Sequence, residues 1–298
     1  MAIDVSTSAG FLEAPPRVNE WRRFVRVFFQ RRIVIFGLLI LVILGLTAIF
    51  AEQLAPYDPY EQNLTNILQQ PSREHLLGTD PIGRDTLSRL IFGTRTALTV
   101  GFVSVSMATV IGVTLGLIAG YFGGITNMII MRFTDVLMPF PMIVLALLIA
   151  AVLGGGISNV ILALGIATVP GYIRVMCGMT LSIKENDYIL AAKASGASHR
   201  RIMFRHILPN AFAPIIVVIT LQLGFLILAE AGLSYLGIGI KPPGAAWGAM
   251  VSEGYRFLVK IPILSFAPGA AIMLVVFAFN MVGDALRDAL DPRLRGTI

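Results

Sequence analysis

The sequence predicts an all-α polytopic membrane protein with six transmembrane helices and both termini in the cytoplasm. Three observations carry this. The chain of 298 residues is 56% hydrophobic and 13% charged, whereas a soluble domain carries about 25% charged residues. Charge-free apolar intervals recur along it, and a bilayer core of ~30 Å needs about 20 helical residues. The basic residues gather beside alternate ends of those intervals, as the excess of Lys and Arg in cytoplasmic loops requires. That placement also accounts for the net charge of +6, so no nucleic-acid partner is expected. The single cysteine, Cys177, excludes an internal disulfide and a Cys-based zinc cluster.

Residues 1–32 read as a cytoplasmic part. Residues 1–20 lack apolar periodicity and contain Pro15-Pro16, which predicts a mobile tail. From Trp21 to Arg32 arginines interleave with Trp21, Phe24, Phe28 and Phe29, the pattern of a helix lying on anionic headgroups. Residues 33–51 form the first span, too long for a signal-peptide core. Residues 52–96 read as an external segment. The interval 97–286 holds the five remaining spans. The Tyr121-Phe122-Gly123-Gly124 turn separates the second (97–120) from the third (128–153), which Pro139 and Pro141 bend. Gly154-Gly155-Gly156 precedes the fourth (157–178). The fifth starts at 207 and extends a few residues past 229, the sixth covers 261–283, and 287–298 is a cytoplasmic tail.

With the N-terminus inside, Arg73, Arg84, Arg89, Arg95, Lys241, Arg256 and Lys260 lie outside, and the other 16 of the 23 basic residues lie inside. The polar stretch 185–209 is then cytoplasmic. Within it, Tyr188 to Ser195 is alanine-rich and favours helix. Gly196 turns or breaks that helix. A second amphipathic piece carries Arg200, Arg201 and Arg205 beside Ile202, Met203 and Phe204, and Pro209 suits the first turn of the fifth span. On the residues alone this stretch fits a docking helix for a partner's groove and an interfacial helix on headgroups equally.

Ionisable and polar residues near span ends are the path and gate candidates. Arg84 and Asp85 fit a solute-receiving mouth or a local ion pair that stabilises a turn. Glu230 fits a contact to a solute amino group, an outer gate lock, or a partner for helix-end amides. Asn280 and Asp284 fit an inner gate or path; for Asp284 a bond to Arg132 or Arg287 is the simpler reading. Gln222, Asn159 and Ser158 are weaker path candidates. Gly112, Gly116 and Gly120 form a ladder that lets helices approach closely, either as fixed packing within the bundle or as a sliding interface. His199 and His206 stand two helical turns apart with no third metal ligand in view.

Four motifs, in order, carry a family resemblance over residues 20–295. They are Gly78-Thr79-Asp80-Pro81-Ile82-Gly83-Arg84-Asp85, the stretch Asp187 to Pro209 with Ala191-Ala192 and Gly196, the run Ala229-Glu230-Ala231-Gly232 to Pro242-Pro243 with Trp247-Gly248, and Asn280 to Arg293. The chain resembles C-type permease subunits of dipeptide, oligopeptide and nickel ABC importers. The resemblance implies a type I ABC importer permease (MetI-like) fold in the bacterial cytoplasmic membrane. It implies a cytoplasmic coupling helix, the EAA loop, that docks on an ATPase. Tyr188, Ala191, Ala192, Ser195, Gly196, Ala197, Arg205, His206, Leu208 and Pro209 fall on it. The implied partners are a homologous B-type permease, two ATP-binding subunits and an extracytoplasmic substrate-binding protein. ATP and Mg²⁺ belong to those partner subunits, with no cofactor or metal on this chain. Leu190 departs from the family, which often has glutamate there, and Glu185 or Asp187 stands nearby. His206 replaces a common aliphatic residue.

No lysine follows a glycine, so a P-loop is absent, and no nucleophile elbow or His-Glu-x-x-His occurs. The expectation is a non-enzymatic permease subunit carrying di- or oligopeptides or a related small solute. The rival is a stand-alone secondary transporter or channel, which needs no ATPase. Such carriers often bury carboxylates at mid-membrane, whereas here they lie near span ends.

Overall fold

The computed structural model describes residues 20–290, and within them every regular element is a helix. The tail expected over 1–20 lies outside the described residues except for its last position, as does 291–298. The basic aromatic segment forms α1 (Glu20–Phe28). Trp21 stacks on Phe24 and Phe24 on Phe28, each pair with centroids 5.7 Å apart. Val27 and Phe28 are buried against Val34 on the next helix and Ala285 and Ala289 near the end of the chain. The first span is α2 (Arg32–Ile49), followed by the single turn α3 (Ala51–Leu54). Its buried edge is Val34, Gly37 and Ile40, while Phe36, Leu39, Val42 and Ile43 stand about half exposed. A helix apolar all round with one packed edge is suited to lipid on the other side.

Helix α4 (Thr86–Phe122) has 37 residues, about 55 Å at 1.5 Å per residue and well beyond a ~30 Å bilayer core. It begins eleven residues before the expected second span (97–120). Charges at Arg89 and Arg95 mark a boundary in a hydropathy reading. The fold instead neutralises Arg89 in a buried ionic cluster, and Arg95 Nε donates to Ala48 O at 2.9 Å. The third expected span is two helices, α5 (Gly124–Leu137) and α6 (Met142–Leu153), bent by 87° across a break of four residues. Pro139 and Pro141 supply no N–H to continue the helical ladder there.

Then come α7 (Ile157–Lys184), α8 (Asp187–Ala194) and α9 (His199–Arg201). A six-residue π-turn, Ile202–Ile207, runs into α10 (Leu208–Tyr235). Helices α11 (Trp247–Tyr255) and α12 (Ile263–Leu290) complete the described chain. Counting the bent pair as one, six apolar spans result, one of them α10 together with the turns before it. The chain is therefore an all-α polytopic membrane protein.

The tightest packing is α4 against α7. The ladder Gly112, Gly116 and Gly120 is fully buried along this contact. A Cβ at Gly116 would fall 2.5 Å from Ile173 O and 2.8 Å from Met176 Cβ, and one at Gly120 would fall 2.6 Å from Thr180 Cβ. The ladder therefore packs within this chain. A central core joins Val100, Leu164, Leu226, Ile227, Leu233 and Trp247 from α4, α7, α10 and α11. Trp247 Nε1 donates to Leu90 O at 3.0 Å.

Gly116→Val forces overpacking at the α4–α7 contact, a change that typically costs about 1–3 kcal/mol. At Gly45 in α2, an added Cβ would meet no atom within 4 Å. Thermal unfolding in detergent should give a lower Tm for Gly116→Val and an unchanged or higher Tm for Gly45→Ala, because alanine gains about 0.5–1 kcal/mol over glycine inside a helix.

Candidate functional site

The polar stretch between α7 and α10 folds into a protruding helix with an exposed face. α8 closes with a Schellman motif: Gly196 N–H donates to Lys193 O and Ala197 N–H to Ala192 O, both at 3.0 Å. The motif needs left-handed backbone at Gly196, whose φ is +79°. One side chain, Ile189, is wholly buried and anchors α8 among Ile202, Met203, Ile207, Leu117 and Met176. Tyr188, Leu190, Ala191, Ser195 and Gly196 are exposed, with Ala192 and Ala197 half-buried. A small-residue face on a singly anchored helix can enter a groove closely, because even a Cβ added at Gly196 would meet no atom within 4 Å.

Downstream, Ser198 Oγ accepts from Arg201 N and caps α9. Arg200, Arg201, Phe204, Arg205 and Pro209 are exposed, and His206 and Leu208 are half-buried. Pro209 cannot donate a backbone bond, and its ring crowds the carbonyl four residues earlier. The chain widens to a π-turn before it, with Leu208 N–H donating to Met203 O. Asn210 Nδ2 donates to His206 O at 2.6 Å. Tyr121 Oη and His199 Nδ1 lie 2.8 Å apart, tying the α4–α5 turn to this surface.

The opposite end of α4 holds a buried ionic cluster. Asp80 Oδ2 accepts from Arg84 Nε and Arg89 Nη1, both at 2.6 Å. Glu253 Oε2 on α11 accepts from Arg89 Nη1 at 2.7 Å and Arg84 Nη2 at 3.2 Å. Asp85 caps α4: its Oδ2 accepts from Ser88 N and Oγ, and its Oδ1 lies 2.9 Å from His75 Nδ1. Arg84 and Asp85 are each 3% exposed. The structure brings them together as a brace between the irregular 55–85 segment, α4 and α11.

Glu230 is 1% exposed, and its Oε1 accepts from Ser234 Oγ at 2.6 Å. Ser234 Oγ in turn accepts from Ile240 N at 3.2 Å, so Glu230 steadies the turn after α10 through that hydroxyl. Asn280 is half-buried and Asp284 exposed on α12. The bond anticipated from Asp284 to Arg132 or Arg287 is not formed; Asp288, one turn on, pairs instead with Arg31 at 3.2 Å. Gln222 lines a cleft of about 410 Å³ between the α5–α6 bend, α7 and α10, with Thr168, Tyr172 and Phe225. Asn159 Nδ2 donates to Leu153 O and Gly154 O and caps the end of α6.

Sequence reasoning did not single out Arg89 or Glu253. Arg89 stands five residues after Arg84, a spacing that does not share a helical face, and the two meet only through Asp80 and Glu253. Glu253 lies 164 positions from Arg89, and only the fold connects them.

Residues 112–296 match the family model described as "Binding-protein-dependent transport system inner membrane component", and residues 19–71 match "N-terminal TM domain of oligopeptide transport permease C". The chain is 44% identical over 278 residues to the dipeptide transport system permease protein DppC of Alkalihalophilus pseudofirmus, covering 93% of this chain and 91% of the relative. It is 42% identical over 276 residues to the glutathione transport system permease protein GsiD of Pectobacterium atrosepticum, covering 92% of each. The fold is similar to that of a chain of the MetNI methionine ABC transporter in an inward-facing conformation. The TM-score is 0.56 at 20% identity, over 68% of this chain and 96% of that one.

Removing one partner from a buried ion pair typically costs about 3–5 kcal/mol, whereas an exposed pair contributes about 0–1 kcal/mol. Asp80 is 6% exposed in its side chain, while Arg31 and Asp288 are 67% and 39% exposed. Asp80→Ala should therefore lower the unfolding midpoint in detergent far more than Asp288→Ala, and equal losses would contradict a supporting role for the cluster.

Proposed function

The chain belongs to the family of binding-protein-dependent transport system inner membrane components, and we propose that it forms the C-type half of the translocation path of a peptide-class importer. It is a multi-pass permease of an ABC importer in the inner membrane. The finer reading adds a homologous B-type permease beside it and two ATP-binding subunits below it, which hold ATP and Mg²⁺. An extracytoplasmic binding protein delivers the solute. The chain itself performs no chemistry. The relatives named for dipeptides and for glutathione support small peptides as the solute class, since both solutes are short peptides with free carboxylates.

The observation that carries the coupling role is α8: a short helix closed at Gly196, held by Ile189 alone, with its small residues exposed. In this reading α8 faces the cytoplasm and sits in a groove of an ATPase. ATP binding draws the two coupling helices together and opens the path outward, and hydrolysis resets it. Purification of the tagged chain in mild detergent should recover a second permease and P-loop ATPases; recovery of this chain alone, under conditions that preserve a control ABC complex, would sink the partner assignment.

Gly196→Val tests the coupling surface. A β-branched residue in left-handed backbone costs about 1–2 kcal/mol, and its bulk stands where a partner would close. In vesicles carrying the assembled complex, solute uptake should fall by about tenfold, the factor that 1.4 kcal/mol sets. Subunit recovery should remain unchanged. Normal coupled uptake in that variant removes α8 as the coupling element.

A further inference from the structure

Two half-exposed charges stand on neighbouring spanning helices and touch each other. Arg174 Nη2 on α7 donates to Asp135 Oδ1 at the end of α5 across 2.5 Å, with side chains 47% and 46% exposed. Arg174 lies 17 residues from Ile157 and 10 from Lys184, about 25 and 15 Å along the helix. A ~30 Å hydrocarbon core centred on this 28-residue helix takes in Arg174. Arg132, one turn before Asp135 on α5, is a second exposed cation and has no ionic partner among the described residues.

Charges on spanning helices face water or protein rather than lipid. Their spare hydrogen-bonding capacity is large. A guanidinium carries five N–H donors, and Arg174 uses one of them here. The 410 Å³ cleft opens beside the pair. Gly171 and Val175, each within a turn of Arg174, line it, as does Leu137, two residues after Asp135. Thr168 and Gln222 are polar groups on its wall. Two cations against one anion leave the group with a surplus positive charge next to an open, partly polar cavity.

We propose that Arg174, Asp135 and Arg132 form a charged station of the solute path that receives a carboxylate group of the solute. Asp135 engages one donor of the Arg174 guanidinium, which stands beside the cleft-lining Gly171 and Val175, and leaves its other donors free for a bidentate contact, which suits a planar carboxylate. The inference rests on the importer reading, because it takes the α5–α7 face as a wall of the path. It names the residues that distinguish a solute with a free carboxylate from one without.

The test uses the assembled complex in membrane vesicles, with Cys177→Ser as background and Val175→Cys as reporter. Val175 is 37% exposed and lines the cleft. Two small thiosulfonate reagents, one anionic and one cationic, label the thiol, and each rate is divided by its rate on a free thiol in solution. A cleft of one sign concentrates the opposite charge by about tenfold or more, so the anionic reagent should lead by about that factor. Arg174→Gln should bring the ratio close to one, Arg132→Gln should lower it in part, and Arg174→Lys should preserve it. Asp135→Asn should raise it. Labelling of the isolated chain but not of the complex assigns this face to a subunit contact and overturns the proposal. Labelling without charge preference overturns it as well. ATPase recovery is scored on the same preparation, so loss of the importer reading shows separately from loss of the charged station.

Discussion

The backbone contact between α4 and α7 is the constraint on which the rest of the structure depends. Lipid tails are as apolar as leucine, so burial of apolar surface gives spanning helices no strong reason to associate. Close van der Waals packing must supply the attraction, and it requires that side chains be absent from the contact. Gly112, Gly116 and Gly120 meet that requirement in three successive turns against Tyr172, Ile173, Met176 and Thr180. The pair then fixes both ends of the molecule. α4 starts at the ionic cluster and ends beside His199. α7 starts at a backbone bond from Gly156 N to Gly239 O and leads into α8.

The two ends are built on opposite principles. At the α11 end, charges are enclosed and paired with one another, so an irregular segment without regular structure is held by ion pairs rather than by a core of its own. At the α8 end, one isoleucine anchors a helix whose other residues mostly face outward. Enclosed charge resists displacement because any movement leaves an unpaired ion in a poorly solvated place. A thinly anchored helix moves at little cost. The arrangement is rigid where α4 enters and yielding where a partner would bind.

Much of this architecture is legible in the sequence, for identifiable reasons. Spans read well because charge is excluded from them, and the alanine run before Gly196 reads as a helix with a glycine stop. The start of α4 does not read, since a single-sequence hydropathy pattern treats Arg89 as solvated and the fold supplies its counter-charges from Asp80 and Glu253. Pro139 and Pro141 announce a bend, but the 87° angle follows from how α6 packs on α7. The π-turn is invisible to a helical period and follows from Pro209 two positions after it. Asp284 and Asp288 are equivalent on paper, one turn apart; the position of Arg31 after α1 decides which one is paired. The pair of Asp135 and Arg174 is hidden for a similar reason. Each looks like the flank of a charge-free interval until the helices are laid side by side.

The π-turn joins the α8–α9 surface to α10 without a loop. α10 has 28 residues, about 42 Å of continuous helix. It passes the cleft at Val218, Gln222 and Phe225 before reaching Glu230 near its far end. A rod of that length is a lever. Tilting it by about 10° at the π-turn carries its far tip through roughly 7 Å, a displacement larger than the width of an extended peptide backbone. The widened turn stands at the base of that rod, and sharp bends in long helices fall at such turns.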